Sequence, residues 1–292
     1  MELRHLTYFV AVAQKLNFSR AADELHVAQP AISQQIRVLE NELGVQLFDR
    51  AGKRVSLTRA GEVLLPHAHH ILAEVETARN EVRDLSQLNR GTASLGAPPT
   101  VSSHLLPGRL TRFRRRYPGL EVTLREAGTE SLIQMVEDSQ LDLAIVVSDD
   151  LPPVVEAAPM MEEKYVLAVG LLHSLSKQSA VRLADLSGEA FILFPEGYKL
   201  REVTLTACKR AGFEPKVALD GGAMQSALEF VAAGLGVALV PQLALEGAEG
   251  IRGLTISDQD LHRQLGLVWR RDRYLSAAAQ ALRDFLLNTE NG

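Results

Sequence analysis

Apolar positions set three successive patterns between Phe18 and Thr58. Ala21, Ala22 and Leu25 form the stripe of a short helix. Ile32, Ile36, Leu39 and Leu43 recur at spacings of four, three and four on a second helix, and Leu47, Phe48, Val55 and Leu57 fall in two short strand-like runs. Ser19 is a capping residue type placed to open the first helix, Pro30 suits the first position of the second, and Gly44 ends it. His26 to Gln29 supply the turn between the helices, and Gly52 turns the chain between the strands. The order predicts a winged helix-turn-helix over residues 1–58. Polar Gln29, Ser33, Gln34 and Arg37 lie opposite the apolar face, where they can hydrogen-bond base edges or phosphates in a major groove. Arg50, Lys53 and Arg54 put charge where a wing meets the DNA backbone or minor groove. With Ser19 and Pro30, these residues are the candidate DNA-binding set.

From Thr58, a plausible cap, a helix is predicted to about Leu88 as a linker over 59–90. Leu64, Ala68, Ile71, Val75, Ala78, Val82 and Leu85 alternate spacings of four and three, the repeat of a coiled-coil seam. A core helix packed on its own domain would also show a stripe. The many charged positions around this one leave a narrow seam that favours a dimer helix. Pro66 removes a hydrogen bond to Glu62 and is expected to kink the first turns.

Beyond Gly91 short apolar runs alternate with amphipathic helices, which argues an α/β domain over 91–292 with mostly parallel strands and two similar halves. Ligands of open α/β sheets sit outside the carboxyl ends of the strands, where helix N-termini offer free N–H groups. Here those ends are the turns Pro98–Ser103, Gly128–Ser131, Pro195–Arg201 and Asp220–Gln225. Ser102, Ser103 and Thr129 are placed to hydrogen-bond a ligand carboxylate and Arg201 to pair with it, although hydroxyls after a strand also serve as helix caps and Arg201 also suits a solvent-exposed first turn. Tyr198 and Lys199 are candidates for specificity. Thr100, Val147, Tyr198 and Met224 complete the candidate effector-binding set.

Composition changes this picture little. The chain has 292 residues, 46% of them hydrophobic, enough for two globular domains. The net charge of −5 looks wrong for a DNA binder until it is divided. Residues 1–58 hold seven Lys/Arg against six Asp/Glu, a net of +1, so the remainder carries −6. One cysteine, Cys208, excludes an internal disulfide framework and suits helix packing in a reducing compartment. The segment Met1–Gln14 lacks the features of a secretion signal, and no apolar run approaches the ~20 residues that span a bilayer. A cytoplasmic protein without membrane attachment is expected. His67, His69 and His70 lack the acidic or thiol ligands of a metal site, no nucleophile–base–acid set falls at the strand ends, and Gly234–Gly236 lacks a dinucleotide loop's context. No metal, cofactor or enzymatic activity is expected. Arg112, Arg114, Arg115 and Arg116 suit a helix C-terminus.

Phe9, Ala13, Phe18, Ser19, Ala21, Ala22, Leu25, Pro30, Ser33, Ile36, Leu39, Glu40, Leu43, Gly44, Leu47, Phe48, Arg50, Leu57, Thr58 and Gly61 together resemble the N-terminal signature of the LysR-type transcriptional regulators. The phrases YPGLEVTLREAG, LDLAIV and VAAGLGVALVP resemble the effector domain of the same family. The resemblance implies a two-lobed, periplasmic-binding-protein-like α/β effector domain, with lobe 1 at about 91–147 and 265–292 and lobe 2 at about 151–257. The chain would cross between lobes near Val146–Leu151 and Ser257–Gln264. It also implies a small-molecule effector between the lobes, dimers through the linker helix, tetramers through the effector domains, and double-stranded promoter DNA as partner. A solute-binding protein without a DNA role, or an α/β enzyme with a helical head, are the alternatives from other classes.

Overall fold

The computed structural model describes residues 1–50, 55–84, 91–148 and 151–288. The chain divides into one unit built on Met1–Leu88 and a second holding Asn89–Glu137 and Leu141–Gly292. Gly52, Lys53, Arg54 and Leu85 lie outside the described residues.

The first unit opens on a helix that the apolar pattern of 18–58 does not contain. In α1 (Leu3–Lys15) Leu6, Phe9, Val12 and Ala13 are buried. They close the core beneath α2 (Phe18–Glu24) and α3 (Gln29–Leu43). Phe9 and Phe18 pack their rings on Phe48 at centroid distances of 5.5 and 5.6 Å. The expected cap of α2 is displaced by two residues. Asn17, not Ser19, accepts from the backbone N–H groups of Ser19 and Arg20. An Asn just before the helix reaches its second and third N–H groups, whereas Ser19 already lies inside the first turn. On α3, Ile32, Ile36 and Leu39 are fully buried, but Leu43 is exposed as the helix runs past the core. Gly44 ends α3 in the left-handed conformation at φ 71°, where a side chain would be strained. β1 (Phe48–Asp49) and β2 (Ser56–Leu57) pair antiparallel as the wing.

Thr58 caps α4 (Arg59–Asp84), its Oγ1 accepting from Gly61 N–H at 3.2 Å. The helix is continuous through Pro66. Its apolar stripe divides along its length. Leu64 and Ala68 join the head's own core, while Ile71, Ala78 and Val82 are exposed.

In the second unit β3 (Gly91–Ala97) lies between β4 (Leu120–Glu126) and β5 (Leu143–Val147), all parallel. A π-helical turn (Val101–Leu105) leads into α5 (Leu106–Arg116), and α6 (Thr129–Glu137) follows β4. The sixteen-residue strand β6 (Val155–Gly170) then serves two sheets. Its first part, 155–164, pairs with β12 (His262–Arg270). The remainder pairs with β10 (Ala238–Pro241) and β11 (Ile251–Ile256), and β7 (Ala180–Val181) lies on β11. Between them come β8 (Ala190–Leu193), α7 (Lys199–Arg210), β9 (Lys216–Asp220) and α8 (Met224–Ala232). α9 (Ala277–Leu287) closes the chain.

The expected predominance of parallel strands is not observed. β6 runs antiparallel to β10, β11 and β12, and β12 runs antiparallel to β5. These strands carry the chain out of the first lobe and back, and antiparallel neighbours need no crossover helix. β6 changes partners from β12 to β10 and β11 at Lys164–Tyr165, and the chain passes from β11 to β12 between Ile256 and His262. Separate apolar cores mark the lobes. One spans Ala93 to Leu286 around β3, β5, β12, α5 and α9, and the other gathers Tyr165 to Ile256.

Candidate functional site

The polar face expected to read DNA lies on α3. Gln29, Pro30, Gln34 and Arg37 are exposed, Ser33 is half-buried, and Gln29 Nε2 donates to Ser33 Oγ at 2.7 Å. Ser19 is exposed on the first turn of α2. Arg50 is committed elsewhere. Its Nη2 donates to Glu40 Oε2 at 2.9 Å, and its guanidinium carbon lies 5.0 Å from the Phe18 ring centroid. Glu40 is buried at 2% exposure and also accepts from the backbone N–H groups of Leu47 and Phe48 at 3.0 and 3.4 Å. The carboxylate ties the end of α3 to the wing, and Arg50 neutralises it. The signal for this role lies in the apolar register, which places Glu40 beside Leu39 on the core side of α3. Gly61 allows α4 its approach, since a Cβ there would sit 2.3 Å from Leu47 O.

In the second unit all four strand-end turns meet around one cavity of about 90 Å³. Thr100, Thr129, Val147, Tyr198 and Met224 line it, together with Lys199. Its other walls are mainly apolar, including Pro98, Phe194, Leu200 and Pro241. The remaining expected residues do not line it. Ser102 is buried behind it with no hydrogen-bond partner for Oγ among the described residues, and Ser103 is exposed. Arg201 is turned away. It donates through Nη1 to the Phe194 carbonyl and binds both carboxylate oxygens of Asp220, one at 3.1 Å from Nη2. A fork of N–H groups on a neighbouring carboxylate is held too well to search the cavity.

A second cation lines the cavity beside Lys199: Arg263, on β12, which the sequence reading did not single out. Arg263 is 7% exposed; its Nε and Nη2 lie 2.8 and 2.7 Å from Glu163 Oε1, and Nη2 donates to Thr100 Oγ1 at 3.2 Å. Glu163 is opposite Arg263 in the β6–β12 register. Burial pushes its carboxyl above the usual range, against the pull of Arg263. The available signal was strand alternation, which puts Arg263 on the same face as the apolar Leu265, opposite the exposed His262 and Gln264. Thr129 Oγ1 accepts weakly from Val147 N–H at 3.4 Å and retains capacity for another partner. α7 and α8 both begin at the cavity, after Tyr198 and Ala223, and neither has a capping side chain. Their first N–H groups are thus available to a ligand.

Cys208 is fully buried in α7, and burial pushes its thiol up to about 11. No cluster of His, Cys, Asp and Glu suited to a metal ion occurs among the described residues, and no helix among them is long and apolar enough to cross a membrane.

Residues 3–62 match the bacterial regulatory helix-turn-helix of the LysR family, and residues 86–290 match the LysR substrate binding domain. The chain is 36% identical to the transcriptional dual regulator GltC of Bacillus subtilis, covering 98% of this chain and 97% of that one. It is 33% identical to the hydrogen peroxide-inducible genes activator of Escherichia coli O6:H1, covering 97% and 95%. The full-length LysR-type regulator CbnR complexed with its target DNA has the same fold, with a TM-score of 0.71, 26% identity and coverage of 98% and 99%. The chain belongs to the LysR family of transcriptional regulators. It joins a DNA-binding winged helix-turn-helix to a periplasmic-binding-protein-like effector-binding domain.

Proposed function

We propose that this regulator binds promoter DNA as a dimer or tetramer and responds to a small anionic metabolite held between the lobes of its second unit. One observation carries the ligand class. A mostly apolar cavity has its polar groups at the strand ends, where two uncapped helix N-termini, Thr129, Lys199 and Arg263 all favour negative charge. The exposed stripe of α4 supports association through that helix, and the DNA complex of CbnR supports the assignment of α3 to the groove. Ligand uptake would act by favouring one arrangement of the lobes over another.

Peroxide is disfavoured as the signal. Thiol oxidation requires an accessible thiolate, and Cys208, the one cysteine of the sequence, is enclosed and protonated at neutral pH. The test is a promoter response measured with candidate metabolites and with peroxide. Under this reading Cys208→Ala leaves the response intact, whereas Thr129→Ala raises the metabolite concentration needed. A response to peroxide that disappears in Cys208→Ala would overturn it.

A further inference from the structure

Arg263 presents a cation to the cavity, but that cation already has a counter-ion. Glu163 sits behind it, 7% exposed, with Oε1 on the guanidinium and Oε2 without a hydrogen-bond partner among the described residues. An anion settling on Arg263 would place two negative charges around one buried positive charge, which is strongly unfavourable unless one charge is removed. We propose that the cleft takes up its anionic ligand together with one proton, Arg263 receiving the anion and Glu163 the proton. The inference rests on the anionic reading of the cleft and adds the identity of the group that balances the charge.

The ledger closes. Before binding the site buries an arginine cation and a glutamate anion, while Lys199, which also lines the cavity, is exposed and paired with Glu202. Afterwards it holds the arginine cation, the ligand anion and a neutral glutamic acid, so the net buried charge is unchanged. The proton has a route, because Glu163 also borders a separate recess of about 360 Å³ lined by Met161, Glu162, Lys164, Gln242, Leu243 and Glu246. Once protonated, Oε2 has a hydrogen to donate, which an orphan carboxylate oxygen lacks. The charged and titratable groups around Glu163 are Arg263 on β12, His104 in the π-helical turn, Glu246 beyond β10, and Glu162 and Lys164 beside it on β6. Burial already holds the carboxyl above its usual range, with Arg263 opposing. Dividing Arg263 with a ligand weakens that opposition, so protonation and binding assist each other.

Calorimetric titration of the full chain tests this with two shape-matched pairs, acetate against acetamide and benzoate against benzamide. Each is run in two buffers of different ionisation enthalpy and from mildly acidic to mildly basic pH. The expected result is tighter binding of the carboxylates, uptake of up to one proton with the carboxylates and none with the amides, and carboxylate binding that weakens by up to about tenfold per pH unit as pH rises. Glu163→Gln, which keeps an acceptor for Arg263, abolishes the proton uptake and flattens the pH dependence, and His104→Gln retains both. Carboxylate binding without proton uptake in the wild type overturns the proposal alone, even if the Gln variant fails to fold. So does uptake that persists in Glu163→Gln or vanishes in His104→Gln. Carboxylates binding no better than their amides overturn the anionic reading as well.

Discussion

The head and the cleft handle charge in opposite ways. On α3 the side chains assigned to DNA, Gln34 and Arg37 above all, stand exposed, and the ionic contact of buried Glu40 with Arg50 shapes the wing instead. In the cleft the cation we propose for the ligand, Arg263, is buried, and it is already paired with Glu163. DNA brings a dense line of phosphates and its own pull, so exposed donors in the right register suffice. Under the proposed reading a small anion is held in a mostly apolar cavity, where an uncompensated buried cation would destabilise the empty protein, so the charge is kept as a pair.

The contrast is broken most severely at Glu40. Glu40→Ala strands Arg50 and removes the acceptor of two buried N–H groups, an expected loss of roughly 2–3 kcal/mol visible as an earlier thermal transition of the head. Arg50→Ala should destabilise as well as weaken binding, which would separate it from true DNA contacts. Gly61→Ala forces a Cβ against Leu47 O. The cost should be about 1–3 kcal/mol in denaturant unfolding, since the close contact is with backbone. Gln34→Ala with Arg37→Ala should leave unfolding unchanged while each lost base contact costs about 1–3 kcal/mol in operator affinity. An unchanged gel-shift titration would remove α3 from the groove. The smallest effect is expected at Thr129→Ala, where one neutral hydrogen bond of about 1 kcal/mol to the ligand is lost. Arg201→Ala should not affect ligand affinity directly, because Asp220 holds that side chain.

Legibility in the sequence divides along the same line. The head is a local structure, and its helices, wing and polar face follow from spacing over some forty residues. What spacing misses there is the capping atom, Asn17 rather than Ser19, and the pairing of Glu40 with Arg50 across ten residues. The cleft is assembled from distant segments. Its four turns are readable because strand ends and helix starts are local features. Which arginine faces the cavity depends on the β6–β12 register, which joins residues a hundred positions apart. Arg201 and Arg263 look equally available in a one-dimensional pattern; only the fold gives Arg201 to Asp220 and Arg263 to the cavity. The antiparallel course of β6 was hidden for a related reason, since Val155–Lys164 carries charged and small residues that do not announce a strand.

The placement of β12 between β5 and β6 also dictates an order of assembly during synthesis. The lobe formed by Tyr165 to Ile256 leaves the ribosome as one uninterrupted run with all its strands. The lobe around β3 and β5, although begun earlier, has a gap in the middle of its sheet until His262–Arg270 emerges, and lacks its α9 cover until shortly after. The usual rule that N-terminal parts fold first is therefore inverted for this pair. A chain cut short before β12 would leave the edges of β5 and β6 unpaired, a template for sticking to other chains.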